Sequence, residues 1–189
     1  MQTIEKKYLD ADGYLDDIWR LAAAVAKSGW RADVLVALWR GGAPAGVAVH
    51  EFLKCVARWD IRHAAMKCAS YSHVGDEPGR VIFEGVEPIL SSIRPGDKVL
   101  VVDDVFDTGR TAEAVKKALE ERGAQMRFAA VYWKPGKNRT SLKPDYFVRD
   151  VGDEWIVFPH EIEDLSDEEI CRKNPLLAQL VRSLNRERG

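Results

Sequence analysis

The sequence predicts an α/β protein with a doubly wound, mainly parallel sheet flanked by helices. Three apolar runs have the length and composition of buried strands: Val34–Trp39, Val99–Val102 and Arg127–Trp133. The first two are each followed by a glycine-containing turn and then by a segment with helical periodicity. Strands that alternate with helices at this spacing are typical of parallel sheets. We therefore expect one domain over residues 1–189, with a core at about 30–133 and a smaller part at about 134–189.

The amino-terminal third contains the first strand, turn and helix. Residues Tyr14–Lys27 place apolar side chains on one helical face and predict the first helix. The strand that begins at Val34 ends at the sequence RGG, residues 40–42. Pro44 lies near the start of a helix that we expect to reach about Ala57.

The middle of the chain predicts a pair of strands and then a second strand, turn and helix. Residues Ile61–Lys67 and Val81–Phe83 predict strands joined by the exposed loop SYSHVGDEPGR. The turn RPGDK leads into the strand Val99–Val102. An amphipathic helix follows the motif DDVFDTGRT, and Gly123 ends it.

The carboxyl-terminal tail predicts two further helices. Ser166 and Glu169 have the spacing of a capping box, and Asn174-Pro175 begins the second helix. That helix carries an apolar stripe formed by Leu176, Leu177, Leu180, Val181 and Leu184. Because such stripes more often pack on the chain's own core than on a partner, we expect this one to be buried against the core, and a dimer seam on it is the minor alternative.

Composition narrows the class of protein. A formal net charge of −2 argues against a protein whose main role is to neutralise a nucleic-acid backbone. No apolar run approaches the roughly 20 residues that span a bilayer, and the first residues lack the apolar core of a signal peptide. The three cysteines fit neither a disulfide framework nor a zinc site. We expect a cytoplasmic protein without membrane contact.

The stretch VLVVDDVFDTGRT carries the most specific chemistry. Asp103 and Asp104 follow a buried strand, at the edge of an open α/β sheet where ligands bind. The sequence DTGRT, residues 107–111, then leads into a helix whose free N–H groups attract an anion such as a phosphate monoester. Carboxylates beside a phosphate need sugar hydroxyls or a divalent cation to offset the repulsion. A ribose phosphate with bound Mg²⁺ satisfies each of these requirements.

Other phosphate motifs fit this stretch less well. The chain contains neither GxxxxGK[ST] nor GxGxxG. The piece VLVVDD alone also resembles a two-component receiver, but a receiver carries its acidic pair near its start.

The whole stretch resembles the phosphoribosyl pyrophosphate (PRPP) signature of type I phosphoribosyltransferases. The resemblance implies that Asp103 and Asp104 bind the ribose hydroxyls and Mg²⁺, and that Asp107 is the acid or base near the purine N7. It also implies that the 5′-phosphate is held by Thr108, Gly109, Arg110 and Thr111.

Two further segments agree with this family. Arg40, Gly41 and Gly42 match the loop that contacts pyrophosphate, which often contains a cis peptide; here it would join Trp39 to Arg40. Ser70-Tyr71 resembles the Ser-Tyr pair of the mobile lid in purine-using members. A lid has a physical purpose, because water would capture the oxocarbenium-like centre formed at the ribose.

The last third bears on the acceptor base. Lys134 can donate to a carbonyl oxygen but is a poor partner for an exocyclic amine, which favours a 6-oxopurine. Trp155 offers a face for stacking, and Ile156 can present backbone groups to the base edge. These segments resemble the base-binding hood of bacterial xanthine-guanine and hypoxanthine-guanine phosphoribosyltransferases. Where that family usually has an aspartate near a second Mg²⁺, this chain has Glu161.

The resemblance therefore implies a Mg²⁺-dependent phosphoribosyltransferase that acts on hypoxanthine, guanine or xanthine, commonly as a homodimer or homotetramer. Two alternatives stay open on the sequence. One is a PRPP-sensing regulator with the same fold that binds nucleic acid; the other is a transferase for another base such as adenine.

Overall fold

The computed structural model describes residues 6–70 and 81–187. The chain divides into two compact units: Leu15–Asp153 forms the larger, and Met1–Tyr14 with Glu154–Gly189 forms the smaller. Most of the loop SYSHVGDEPGR, from Tyr71 onward, lies outside the described residues.

Strands and helices alternate along most of the chain, as the sequence predicts. The strands among the described residues are β1 Lys6–Tyr8, β2 Val34–Trp39, β3 Arg62–Ser70, β4 Val81–Glu84, β5 Lys98–Phe106, β6 Gln125–Trp133, β7 Tyr146–Asp150 and β8 Trp155–Val157. The α-helices there are α1 Ala11–Lys27, α2 Gly42–Glu51, α3 Glu87–Ser92, α4 Arg110–Glu120, α5 Asp167–Lys173 and α6 Pro175–Glu187. The helix predicted to reach Ala57 changes to π-helical geometry over Phe52–Val56.

The larger unit is built around a six-stranded sheet of order β4-β3-β2-β5-β6-β7. Neighbouring strands are parallel except β3 and β4, which form an antiparallel pair. The central strands are buried because they consist mainly of apolar residues, and α4 packs against the sheet through Ala112, Val115 and Leu119. The predicted α/β class and mainly parallel sheet are confirmed.

Strand β5 is longer than the sequence predicts, and this places Asp103 and Asp104, which we call the acidic pair, inside the strand. Its pairing with β2 stops at Val102, opposite Ala37. Its pairing with β6 continues to Phe106, opposite Trp133. Beyond Val102, therefore, β5 has a backbone partner on one side, and the other side opens at the carboxyl end of β2. That opening is the switch point at which open α/β sheets bind ligands.

The smaller unit combines a two-stranded parallel sheet, β1 with β8, and the last two helices. The capping box of Ser166 and Glu169 is present at the start of α5. The expected burial of the apolar stripe on α6 is wrong for Leu176, Leu180 and Leu184, which are 63%, 52% and 56% exposed. The seven-residue α5 covers the face around Ala178, but the apolar arc of α6 is wider than one short helix can cover. Among the described residues, we find no helix with the length and apolarity to cross a bilayer.

Candidate active site

The predicted site residues of the larger unit lie at or near the carboxyl ends of three adjacent parallel strands. Arg40 follows β2, Asp103 and Asp104 lie near the end of β5, and Lys134 directly follows β6. Carboxyl ends of parallel strands meet at one edge of a sheet, so the fold brings these segments together although they are far apart in sequence.

The loop after β2 approaches β5 so closely that its glycines have no room for a side chain. A Cβ on Gly41 would lie 2.1 Å from Asp104 Oδ2. A Cβ on Gly42 would lie 2.6 Å from the Val102 carbonyl oxygen and 2.9 Å from Asp103 Cα. Glycine is therefore required here by contact with the acidic pair. The peptide between Trp39 and Arg40 is cis, as the family resemblance implies.

Asp103 and Asp104 form a half-buried pair of carboxylates. The Asp104 N–H donates to Asp103 Oδ1 at 3.0 Å, and the Val105 N–H donates to Asp104 Oδ1 at 2.8 Å. Burial, followed by repulsion from the Asp104 carboxylate, raises the pKa of Asp103 well above its ordinary value. A cation between the two groups would relieve both effects.

The donor set fits Mg²⁺. Among the described residues no three His, Cys, Asp or Glu side chains are grouped to enclose a metal ion. Mg²⁺ is commonly held by one or two carboxylates, with water and substrate oxygens completing the shell. Asp103 and Asp104 are such a pair, and the cation would take its remaining ligands from the substrate.

Cys68 on β3 lies near the acidic pair, which sequence reasoning did not predict. Burial, together with the nearby Asp103, raises the pKa of its thiol to about 12. The thiol is thus neutral at physiological pH and lacks the reactivity of a thiolate. Nothing in the spacing of the three cysteines signals this placement.

Residues 107–111, which we call the phosphate loop, connect β5 to α4. Gly109 adopts φ 80° and directly precedes α4. The Glu113 N–H donates to the Gly109 carbonyl at 2.9 Å and so forms the first hydrogen bond of the helix. A cavity of about 70 Å³ lies here, and its lining includes Asp103, Asp107, Thr108, Gly109 and Thr111. The amino terminus of an eleven-residue helix beside a small cavity suits an anion.

Asp107 and Lys134, which directly follow β5 and β6, form a pair. Lys134 Nζ lies 3.8 Å from Asp107 Oδ2, and the lysine is 7% exposed. Burial lowers the pKa of Lys134, and the Asp107 carboxylate opposes that shift. Asp107 Oδ1 is buried without a hydrogen-bond partner among the described residues. A buried acceptor of this kind is available to a donor on a ligand.

A further segment behind the phosphate loop was missed by sequence reasoning. The Arg139 N–H donates to the Thr108 carbonyl at 2.9 Å, and the side chains of Asn138 and Thr140 lie against Gly109. The pattern Asn-x-Thr signals a local turn but does not indicate what the turn contacts.

The remaining predicted residues lie in the smaller unit or at the end of β3. In the smaller unit Trp155 is 43% exposed, Ile156 is buried, and both pair with β1. Glu161 Oε2 accepts a hydrogen bond from the Phe158 N–H at 3.2 Å. Ser70 ends β3, and Tyr71 lies outside the described residues. The base, lid and second-metal roles of these residues stay predictions.

Comparisons with known proteins match the chain to one family. Residues 5–167 match the family described as "Phosphoribosyl transferase domain". The hypoxanthine-guanine phosphoribosyltransferase of Lactococcus lactis subsp. lactis (strain IL1403) is 37% identical over 62 residues, which are 33% of this chain and 34% of that protein. The match thus spans about a third of the length of this curated relative.

Solved structures resemble nearly the whole chain. A purine phosphoribosyltransferase from Pyrococcus horikoshii Ot3 has a TM-score of 0.65 at 28% identity, covering 86% of this chain and 98% of that one. A hypothetical protein from Neisseria gonorrhoeae with bound ppGpp has a TM-score of 0.69 at 24% identity, covering 95% and 99%. The Helicobacter pylori xanthine-guanine-hypoxanthine phosphoribosyltransferase has a TM-score of 0.65 at 24% identity, covering 84% and 96%. The last two likenesses show the fold.

Proposed function

Because the chain belongs to the phosphoribosyl transferase domain family, we propose that it transfers the 5-phosphoribosyl group of PRPP to a 6-oxopurine. The products are the nucleoside monophosphate and pyrophosphate, and the acceptors are hypoxanthine, guanine or xanthine. One observation carries the proposal. A cavity of about 70 Å³ beside the phosphate loop, a half-buried carboxylate pair and a Lys134–Asp107 pair lie around one edge of the sheet.

The phosphate loop and the acidic pair are suited to the two ends of a ribose phosphate. The loop would hold the 5′-phosphate through N–H groups at the start of α4 and the hydroxyls of Thr108 and Thr111. Asp103 and Asp104 would accept hydrogen bonds from the ribose hydroxyls. These contacts fix the sugar so that C1 faces the acceptor, and positioning of this kind lowers the barrier.

The departing pyrophosphate would lie beside the loop that follows β2. Arg40 supplies positive charge, and Gly41 and Gly42 allow backbone groups to approach the anion. Asp103 and Asp104 would hold Mg²⁺, which when bound neutralises charge on the departing pyrophosphate. Catalysis would come from positioning and charge stabilisation, with no covalent nucleophile.

Lys134 and Asp107 are suited to the purine. An ammonium group donates hydrogen bonds and accepts none, so Lys134 selects an acceptor such as the 6-oxo group over an amine. Asp107, held beside it, would exchange a proton with the purine N7. Trp155 would stack on the base and Ile156 would meet its edge, while Ser70 and Tyr71 would belong to a lid and Glu161 to a second Mg²⁺ site. A homodimer or homotetramer stays a prediction.

The test is PRPP-dependent turnover on a panel of hypoxanthine, guanine, xanthine, adenine and orotate, with Mg²⁺ and then with EDTA. We expect Mg²⁺-dependent consumption of at least one 6-oxopurine, with adenine and orotate left unchanged. Consumption of adenine or orotate instead would contradict the choice of acceptor. A folded protein that binds PRPP but turns over no base, and that binds RNA or DNA in a salt-dependent manner, would favour the regulator.

A further inference from the structure

Residues 138–142, which we call the support segment, are joined to one another by hydrogen bonds of their own side chains. Asn138 Nδ2 donates to the Leu142 carbonyl at 2.6 Å, while Asn138 Oδ1 accepts from the Thr140 N–H at 3.0 Å and from the Thr140 hydroxyl at 3.1 Å. The Leu142 N–H in turn donates to Thr140 Oγ1 at 3.3 Å. The two polar atoms of the Asn138 amide group thus bind Leu142 and Thr140, two residues of the same turn.

This turn is in direct contact with the phosphate loop at Gly109. A Cβ on Gly109 would lie 2.4 Å from Thr140 Oγ1 and 2.7 Å from Asn138 Oδ1, so both oxygens are in contact with the glycine. Gly109 has φ 80°, a conformation that a residue with a side chain rarely adopts. The two oxygens fill the place that a side chain on Gly109 would take.

A backbone hydrogen bond fixes the orientation of the adjoining peptide group. The Arg139 N–H donates to the Thr108 carbonyl at 2.9 Å. In a trans peptide the carbonyl of one residue and the N–H of the next point in opposite directions. Holding the Thr108 carbonyl toward the support segment therefore directs the Gly109 N–H toward the other side of the loop.

We propose that Asn138 and Thr140 are positioning residues for the 5′-phosphate, acting through Gly109 and the Thr108–Gly109 peptide. The inference rests on the proposed function and adds two residues from outside the signature motif. Asn138 keeps the support segment in the shape that brings its oxygens and the Arg139 N–H against the loop. Without that support the loop loses the fixed N–H direction that a phosphate needs, whereas the Arg40-Gly41-Gly42 loop keeps its contacts with β5.

The experiment compares two ligands that occupy opposite ends of the site. The dissociation constants of ribose 5-phosphate and of Mg²⁺-pyrophosphate are measured by calorimetry for the parent, Asn138→Ala, Thr140→Val and Thr140→Ser. Ser141→Ala is the matched control, since its exposed hydroxyl has no partner among the described residues. Melting temperatures, and KM for PRPP with kcat, are recorded for each variant.

We expect Asn138→Ala to bind ribose 5-phosphate about tenfold more weakly, with pyrophosphate binding changed less than twofold. Thr140→Val should weaken ribose 5-phosphate severalfold, and Thr140→Ser should restore parental binding because the hydroxyl is kept. KM for PRPP should rise more than kcat falls.

Ribose 5-phosphate binding within twofold of the parent in both Asn138→Ala and Thr140→Val would overturn the inference. Equal weakening of ribose 5-phosphate and pyrophosphate binding would also overturn it, because that result indicates general destabilisation. If Asn138→Ala does not fold, the isosteric Thr140→Val decides the matter by the same ratio. A folded parent that binds no ribose 5-phosphate would overturn the proposed function and this inference together. If the parent binds ribose 5-phosphate and turns over PRPP, the proposed function stands, and the ligand affinities of the variants decide the inference alone.

Discussion

The contact between Gly41 and Asp104 predicts a large loss of activity from adding one methyl group, Gly41→Ala. The new Cβ would lie 2.1 Å from Asp104 Oδ2 and 2.6 Å from Asp104 Cγ, whereas ordinary contact begins at 3.4 Å. The carboxylate must therefore move by about 1.3 Å, leaving its charge unchanged but its place in the acidic pair lost. Because a misplacement of about 1 Å can cost a hundredfold in rate, we expect kcat/KM to fall about 100-fold, or about 2.7 kcal/mol of transition-state stabilisation.

The assay for Gly41→Ala is steady-state formation of the nucleoside monophosphate at saturating Mg²⁺, with the melting temperature recorded alongside. Gly136→Ala is the control, because its Cβ would meet its nearest neighbour, Asp153 Oδ1, at an ordinary 3.5 Å. We expect parental activity from the control, and from Gly41→Ala a folded protein with kcat/KM lowered about 100-fold. Activity of Gly41→Ala within threefold of the parent would refute the reasoning, because it would show that the position of Asp104 is not critical.

Three further predictions concern charge. Lys134→Met should lower kcat/KM for a 6-oxopurine by about 10- to 100-fold in steady-state assays, since a charged hydrogen bond contributes about 1.5–3 kcal/mol; an unchanged value would exclude a contact with the oxo group. Asp103→Asn should abolish turnover yet raise the free energy of unfolding near pH 7, measured in urea without ligand, because the folded parent is destabilised as pH rises from about 3.8 through the raised pKa of Asp103; a less stable variant would contradict this. The Tyr132 hydroxyl donates to Asp17 Oδ2 at 2.8 Å, so Tyr132→Phe should lower the free energy of unfolding at pH 8 by about 1–3 kcal/mol. Burial raises the pKa of the Tyr132 phenol to about 12. The parent's advantage should disappear as pH rises from 10 toward 12, and urea unfolding that shows a constant difference across that range would argue against it.

The parts of the fold with strong local signals were predictable from the sequence. Strand β2 has the predicted bounds, because a continuous apolar run that ends at RGG has few competing structures. The capping box and the antiparallel pair of β3 and β4 follow equally local rules. The glycines at 41 and 42 indicated close backbone approach, and the structure identifies the atoms they approach.

What could not be predicted depends on contacts between distant segments. Strand β5 continues through two aspartates because β6 pairs with it as far as Phe106, and local polarity alone argues for an earlier end. The support segment meets Gly109 from some thirty residues further along the chain, with a turn pattern that says nothing about its neighbour. The exposure of Leu180 likewise depends on how little of α6 the short α5 covers.

In the function that we propose, one edge of the sheet holds PRPP and passes its ribosyl group to a 6-oxopurine. The most direct measurement is ³¹P nuclear magnetic resonance of PRPP, Mg²⁺ and hypoxanthine, guanine or xanthine with the purified protein. We predict that the PRPP resonances are replaced by those of pyrophosphate and a nucleoside 5′-phosphate, and that Asp103→Asn prevents the change. PRPP resonances that stay unchanged with all three bases, in a folded protein, would contradict the account.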